Sequence, residues 1–325
     1  MEHQNGGIEP WSNVCIFNQK KRAEDRMEIS YGFFLNWFTQ DETFPFFIQY
    51  GTHDEDLCLH THADFSELVI VLSGTATHVV DGEEYPIRKG DVFVISNNTA
   101  HGYKHPKNFH ICNIMFHLSY FLDYQSDIKT TAGFHALFVI EPTLTKTQGF
   151  KRQLTLNLAQ YEEIHTLIVS LKNEYETKLP GYQTMIISLL SQLFTSLSRF
   201  YDVSQKSDSK EVVSIANTIA YMENHYNEDL SIEELAQYSG LSSRHFRRIF
   251  QRIYSISPTK YMTILRIQAA MKALQNPHLS ITEIALLCGF SDSNYFSRKF
   301  KAETGKSPLE YRKYIQGLSN SSITI

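Results

Sequence analysis

Three histidines and a glutamate stand at spacings that can bring their polar atoms together. His60 and His62 are two residues apart, Glu67 follows, and His101 lies further on. Side chains two apart on a strand share a face, and adjacent strands can bring Glu67 and His101 beside that face. Imidazole and carboxylate groups hydrogen-bond the hydroxyls of a small polar ligand. They also suit Fe, Mn, Ni or Zn. The reading adopted is an effector pocket of His60, His62, Glu67 and His101, with no metal and no cofactor. The alternative is a metal site on the same four residues. Tyr103 is a further pocket candidate. Trp37 is either a stacking face for a sugar or a core aromatic.

A second constellation lies near the C-terminus. The stretch 236–261 (AQYSGLSSRHFRRIFQRIYSISPTKY) recurs as 285–311 (ALLCGFSDSNYFSRKFKAETGKSPLEY). Ala236 matches Ala285, Gly240 matches Gly289 and Ser242 matches Ser291. After a one-residue insertion Phe246, Arg248, Phe250, Pro258 and Tyr261 match Phe296, Arg298, Phe300, Pro308 and Tyr311. Each copy reads as a helix-turn-helix. The small Ala lets two helices approach, the Gly ends the first in a left-handed conformation, and the Ser supports the start of the next. In the first copy Phe246, Ile249, Phe250 and Ile253 form a core face, leaving Arg244 and Arg248 opposite and Arg247 on the flank. In the second, Phe296 and Phe300 face inward, Asn294, Arg298 and Lys301 outward, and Ser297 flanks. Such helices fit a major groove and offer side chains to base edges and phosphates. Residues 261–275 read as a helix holding the two motifs apart, about 34 Å being the spacing of successive grooves on one DNA face.

These residues need two kinds of scaffold. Up to about Ser119 the chain is rich in β-formers. Strands are expected at Glu67–Val71, Thr77–Val80, Asp91–Ile95 and Ile111–Phe116, with a hairpin at Asp81-Gly82 and turns at Ser73-Gly74 and Lys89-Gly90. Many short strands imply a sandwich or barrel. Helical spacing then appears at Tyr161–Lys178 and, after Pro180-Gly181, at Gln183–Tyr201. The latter is apolar on most faces and so expected to be buried, in its own domain or against a partner chain.

The region from Glu211 to Tyr314 resembles the DNA-binding domain of the AraC/XylS family of bacterial regulators, and Gly289–Arg312 is close to that family's signature. The resemblance implies two helix-turn-helix motifs joined by a linker helix. By position it implies DNA contacts at Arg244, Arg247, Arg248, Ser293, Asn294, Ser297 and Arg298. Ser255 departs from the pattern, standing where the second copy has Gly305. The block from His60 to Ile95, with His101, resembles the two motifs of a cupin, a small antiparallel barrel. Within that resemblance it is most similar to the arms of regulators of rhamnose and related sugar use, which implies a monosaccharide as effector. Ser96, Asn98 and His105 depart from metal-binding cupins, and Gly51 is displaced from the position that opens the first motif.

Composition bounds the rest. The 325 residues suit about two domains. The net charge of −5 is uneven: residues 211–313 carry 13 Lys+Arg against 10 Asp+Glu, and the remainder 17 against 25. A mildly basic tail on an acidic body suits phosphate contacts. No apolar run approaches the roughly 20 residues of a membrane span, and the N-terminus lacks a secretory pattern. Cys15, Cys58, Cys112 and Cys288 are scattered, which fits reduced thiols in a cytoplasm. The expected fold is α+β: an N-terminal antiparallel, cupin-like β-barrel with a helical dimerisation segment, and an all-α double helix-turn-helix domain. The expected boundaries are 1–202 for sensing and dimerisation, 203–210 for a linker, 211–316 for DNA binding and 317–325 for a flexible tail. The expected function is transcription regulation by a homodimer, without catalysis or a membrane. The partners are double-stranded DNA, a sugar-like effector and RNA polymerase. The competing function is a metal-dependent cupin oxygenase or isomerase, or a metal sensor, with a DNA-binding tail.

Overall fold

A computed structural model describes residues 32–39, 41, 43–122, 127–144, 154–201 and 210–321. They fall into two compact units. One takes residues 32–122 and 137–201; the other takes 127–136 and 210–321.

The first unit is built on one antiparallel sheet of seven strands: β1 (Phe46–His53), β2 (Leu57–His60), β3 (Ser66–Val80), β4 (Glu83–Arg88), β5 (Asp91–Ile95), β6 (His101–Phe116) and β7 (Leu154–Thr155). The long strands β3 and β6 pair with each other over their lengths. At one end β6 also pairs with β1, and at the other with β2. Val69, Val71, Ala76, Phe93, Tyr103 and Phe109 pack into one core cluster, so both halves of the two long strands face a common interior. That is the expected barrel.

The expected strands at 67–71 and 77–80 are one strand, β3. Gly74 has φ 72°, yet the chain does not turn there. The β3–β6 register shifts around it, so the residue forms a bulge that bends a continuous strand. The hairpin at Asp81-Gly82 is present, with φ 49° and 88°, as a primed turn requires. The run Leu68–Val71 is buried throughout because the sheet is covered on both faces.

Two helices cover the outer face. α1 (Leu158–Thr177) begins at a capping box of Asn157 and Gln160 and ends at Lys178 in the left-handed region. α2 (Tyr182–Phe200) lays Phe194 against Phe116 of β6, ring centroids 5.0 Å apart. It is not buried all round. Ile186, Leu190, Leu193, Phe194 and Leu197 form one buried face, while Met185 and Ile187 are exposed. The other face carries Ser188, Ser191 and Thr195, whose hydroxyls are satisfied by carbonyls one turn back.

The second unit is built on α3 (Lys210–Asn224), α4 (Ile232–Tyr238), α5 (Ser243–Tyr254), α6 (Pro258–Ala273), α7 (Ile281–Leu287), α8 (Ser293–Thr304) and α9 (Pro308–Ser321). Residues 127–136, numbered within the expected sensing domain, belong to this unit. Asn224 Nδ2 donates to the carbonyl of Thr130, and the His135 ring meets Tyr254 and the carbonyl of Lys129. Of the expected linker, residues 203–209 lie outside the described residues and Lys210 opens α3. The expected tail is helical as far as Ser321. Tyr311 and Ile315 anchor that helix on the core of α6, α7 and α8, and the single Gly317 costs only about 1 kcal/mol. Residues 322–325 of the tail lie outside the described residues.

Candidate effector pocket and nucleic-acid interface

The barrel gathers all four pocket residues. His60 ends β2 and pairs in register with His101, which opens β6. His62 follows β2 and bridges to Phe33. Glu67 lies near the start of β3. All four side chains are buried. His62 Nε2 and His101 Nε2 are 3.1 Å apart, and Glu67 Oε2 lies 3.6 Å from the first and 3.7 Å from the second. The His60 and His101 rings are 4.2 Å apart between centroids.

Burial governs the electrostatics. It pushes the Glu67 carboxyl up to about 8 and holds His60 down at about 4, against a smaller opposing effect of the Cys58 carbonyl. It also drives His62 and His101 well below the ordinary histidine range. At neutral pH the pocket is a set of uncharged donors and acceptors. Glu67 Oε1, His62 Nδ1 and His101 Nδ1 are buried without a hydrogen-bond partner among the described residues. Each such group costs about 1–3 kcal/mol and marks a place where a polar ligand can repay it.

Tyr103 shares the His101 face of β6, is buried, and its hydroxyl also has no partner among the described residues. His78 escaped the sequence reading. It pairs in register with Tyr103, stacks on Phe93 at 4.4 Å and stands 5.8 Å from the His101 ring. Its only sequence signal is its place in the strand expected at Thr77–Val80. A cleft lined by His78, Phe93, Ile95, Thr99 and Glu141 opens at this side. Trp37 is neither core nor pocket wall. It is 58% exposed and meets Phe33, which in turn meets His60.

In the second unit α4–α5 and α7–α8 are the two helix-turn-helix motifs. Gly240 (φ 66°) and Gly289 (φ 82°) end the first helix of each. Ser242 caps α5 by accepting from the His245 amide. In the second copy the cap is Asp292, not Ser291. The one-residue insertion therefore falls before the cap, and the second helices start 50 residues apart, at Ser243 and Ser293. Phe246, Ile249, Phe250 and Ile253 are buried, as are Phe296 and Phe300. Arg244, Arg247, Arg248, Asn294 and Arg298 are exposed, and Ser293 and Ser297 are half-buried. Arg247 reaches Glu233 at 3.4 Å across an exposed gap, a pair weak enough to yield to phosphate. α6 packs between the motifs, with Lys260 bound to Glu303 of α8.

Two family models match the chain, an AraC-like ligand binding domain over residues 45–194 and a helix-turn-helix domain over 235–314. The HTH-type transcriptional activator RhaS of Escherichia fergusonii is 29% identical over 256 residues, covering 78% of this chain and 86% of that protein. RhaS of Escherichia coli is 27% identical over 255 residues, with the same coverage. The chain belongs to the AraC/XylS family of transcription regulators.

As an AraC-family protein it is a DNA-binding transcription regulator with a ligand-binding domain. The four candidate pocket residues lie within the stretch matched by the ligand-binding model, and the seven candidate DNA contacts within the helix-turn-helix match. Its relatives are regulators rather than enzymes. Among solved structures, an AraC-type regulator from Chromobacterium violaceum is 33% identical, covering 31% of this chain and 89% of that one, with TM-score 0.29. The DNA-binding domain of AdpA in complex with a target DNA is 27% identical, covering 32% and 94%, with TM-score 0.31. No described helix is long and apolar enough to cross a membrane.

Proposed function

We propose that this regulator is a sugar-responsive transcription activator of the cytoplasm. In this reading His60, His62, Glu67 and His101 form the effector pocket, with Tyr103 and His78 beside them. The observation that carries it is the set of buried, uncharged and partly unsatisfied polar atoms on the barrel interior. Such a lining suits a neutral polyhydroxyl ligand, which offers both donors and acceptors. The name of RhaS as an activator supports the direction of regulation.

The chain acts as a homodimer in this reading. Val169, Leu179, Met185 and Ile187 are exposed apolar residues on and between α1 and α2, the segment expected to pair. Arg244, Arg247 and Arg248 on α5 read one major groove. Ser293, Asn294, Ser297 and Arg298 on α8 read the next. Effector binding shifts the population of the DNA-competent state, and activation proceeds through RNA polymerase.

Thermal unfolding against a panel of monosaccharides and sugar acids tests the effector. A ligand that binds only the folded state stabilises it by about 2.7 kcal/mol at a hundredfold excess over its Kd. A shift with one sugar, lost in His101→Ala, is expected. No shift with any of them would sink the sugar reading.

A further inference from the structure

We propose that Gln49 and Asn113 form a second polar subsite on the barrel interior, where they read one hydroxyl of the effector and so set which sugar the pocket accepts. The inference deepens the effector reading of the same barrel and rests on it.

Register places the two residues together. Gln49 of β1 stands opposite Asn113 of β6, and Asn113 stands opposite Val69 of β3. The sheet fixes where their side chains point. On β6 the even-numbered Phe116 meets Phe194 of α2 on the outer face. Phe109 and Ile111 join the interior cluster with Val69, and Met115 packs with Phe47 in a second cluster. Asn113 shares the parity of these odd-numbered residues of β6, and Gln49 shares that of Phe47 on β1, so both amides face inward. Asn113 thereby interrupts an apolar column of Phe109, Ile111 and Met115. Glu67 pairs with Met115, which makes Asn113 its diagonal neighbour, about 7–8 Å away. The subsite therefore adjoins the histidine–glutamate end of the pocket.

The open polar atoms name the ligand group. Opposed side chains on neighbouring strands have Cβ atoms about 4.5–5.5 Å apart, a range at which two amides can hydrogen-bond. Gln49 and Asn113 do not. Gln49 Nε2, a donor, and Asn113 Oδ1, an acceptor, are both buried without a hydrogen-bond partner among the described residues, and Asn113 is only 5% exposed. A buried amide left open costs its full desolvation, whereas an apolar side chain of the same shape does not. A barrel that only had to fold would do better with leucine there. One hydroxyl closes both gaps, since its oxygen accepts from Gln49 and its proton is donated to Asn113. A carboxylate only accepts and would leave Asn113 open, and a cation would leave Gln49 open. Gln49 is half-buried, and β1 pairs with β6 alone among the described strands, so the subsite lies beside an edge of the sheet.

The test uses the full-length protein with L-rhamnose, L-fucose, D-galactose and D-mannose, and with the derivatives of each that lack one ring hydroxyl. Calorimetry reads affinity. Wild type is expected to bind at least one of these sugars, and to bind it about tenfold or more weakly when one particular hydroxyl is missing. Asn113→Leu and Gln49→Met remove the amides at nearly constant volume. Each should bind the parent sugar about tenfold more weakly and no longer distinguish it from that deoxy derivative. Without sugar, Asn113→Leu should unfold at a denaturant midpoint no lower than wild type, because it removes an open amide. Unchanged affinity and unchanged discrimination in folded Asn113→Leu and Gln49→Met would overturn the subsite and leave the sugar reading standing. A lowered midpoint for Asn113→Leu would make the amide part of the fold and overturn the subsite as well. No binding of any of these sugars by wild type would sink the sugar reading, and the subsite with it.

Discussion

Ser255 and Gly305 occupy the same position at the ends of α5 and α8, and both are left-handed, with φ 59° and 76°. Glycine takes that conformation freely, whereas a residue with a Cβ pays about 1 kcal/mol. Ser255→Gly is therefore expected to raise stability by about 1 kcal/mol, read as a higher denaturant midpoint at unchanged slope. Gly305→Ser should lower it by a similar amount.

The paired glycines at the turns differ in surroundings. A Cβ on Gly240 would meet nothing within 4 Å, while one on Gly289 would lie 2.6 Å from the backbone oxygen of Asn227. Gly240→Ala carries only the backbone cost, about 1 kcal/mol. Gly289→Ala adds an overpacking cost and should lose about 3 kcal/mol. Chemical denaturation of the two variants side by side reads the difference.

Arg244 and Arg298 are exposed. Arg244→Ala or Arg298→Ala is expected to weaken binding to a selected DNA site by about 1–3 kcal/mol if the side chain reads a base, with little change in melting temperature. Equal loss on selected and random DNA would place the side chain on a phosphate.

His135 is fully buried and held neutral. Its Nε2 donates to the Lys129 carbonyl at 2.6 Å and its Nδ1 accepts from the Tyr254 hydroxyl at 2.9 Å. Burial pushes it down to about 4. Because the folded value lies below the unfolded value of about 6.5, its contribution is complete above pH 6.5 and is lost as the pH falls through 4. The advantage of wild type over His135→Gln should shrink by about 3 kcal/mol between pH 6.5 and 4. Denaturant titrations of both proteins at pH 7, 5 and 4 measure it. The other histidines cancel in the comparison.

Much of this was legible from local pattern. The repeated Phe, Arg and Gly positions placed both helix-turn-helix motifs and their buried faces, because helical period and turn residues are short-range signals. The His60-x-His62 spacing and the Asp81-Gly82 turn pointed to the barrel and to the cluster of buried polar side chains inside it. What escaped depends on distant partners. The merging of two expected strands into β3 is set by β6 across the sheet, with Gly74 as a bulge. His78 joins the candidate pocket through its pairing with Tyr103. Residues 127–136 join the second unit through Asn224 and Tyr254, both far away in sequence. The polar face of α2 was hidden because Ser and Thr satisfy themselves on the preceding turn. Asp292 replaced Ser291 as a cap because the insertion lay one position earlier than the alignment implied.

The most direct measurement is fluorescence anisotropy of the full-length protein on a DNA site selected from random sequence, titrated with salt, with and without the sugar found in the thermal screen. Binding to the selected site should exceed binding to random DNA by a thousandfold or more. It should fall log-linearly with salt and change by several-fold or more when the sugar is present. Equal affinity for selected and random DNA, or an affinity for the selected site that no sugar alters, would contradict a sugar-gated, sequence-reading regulator.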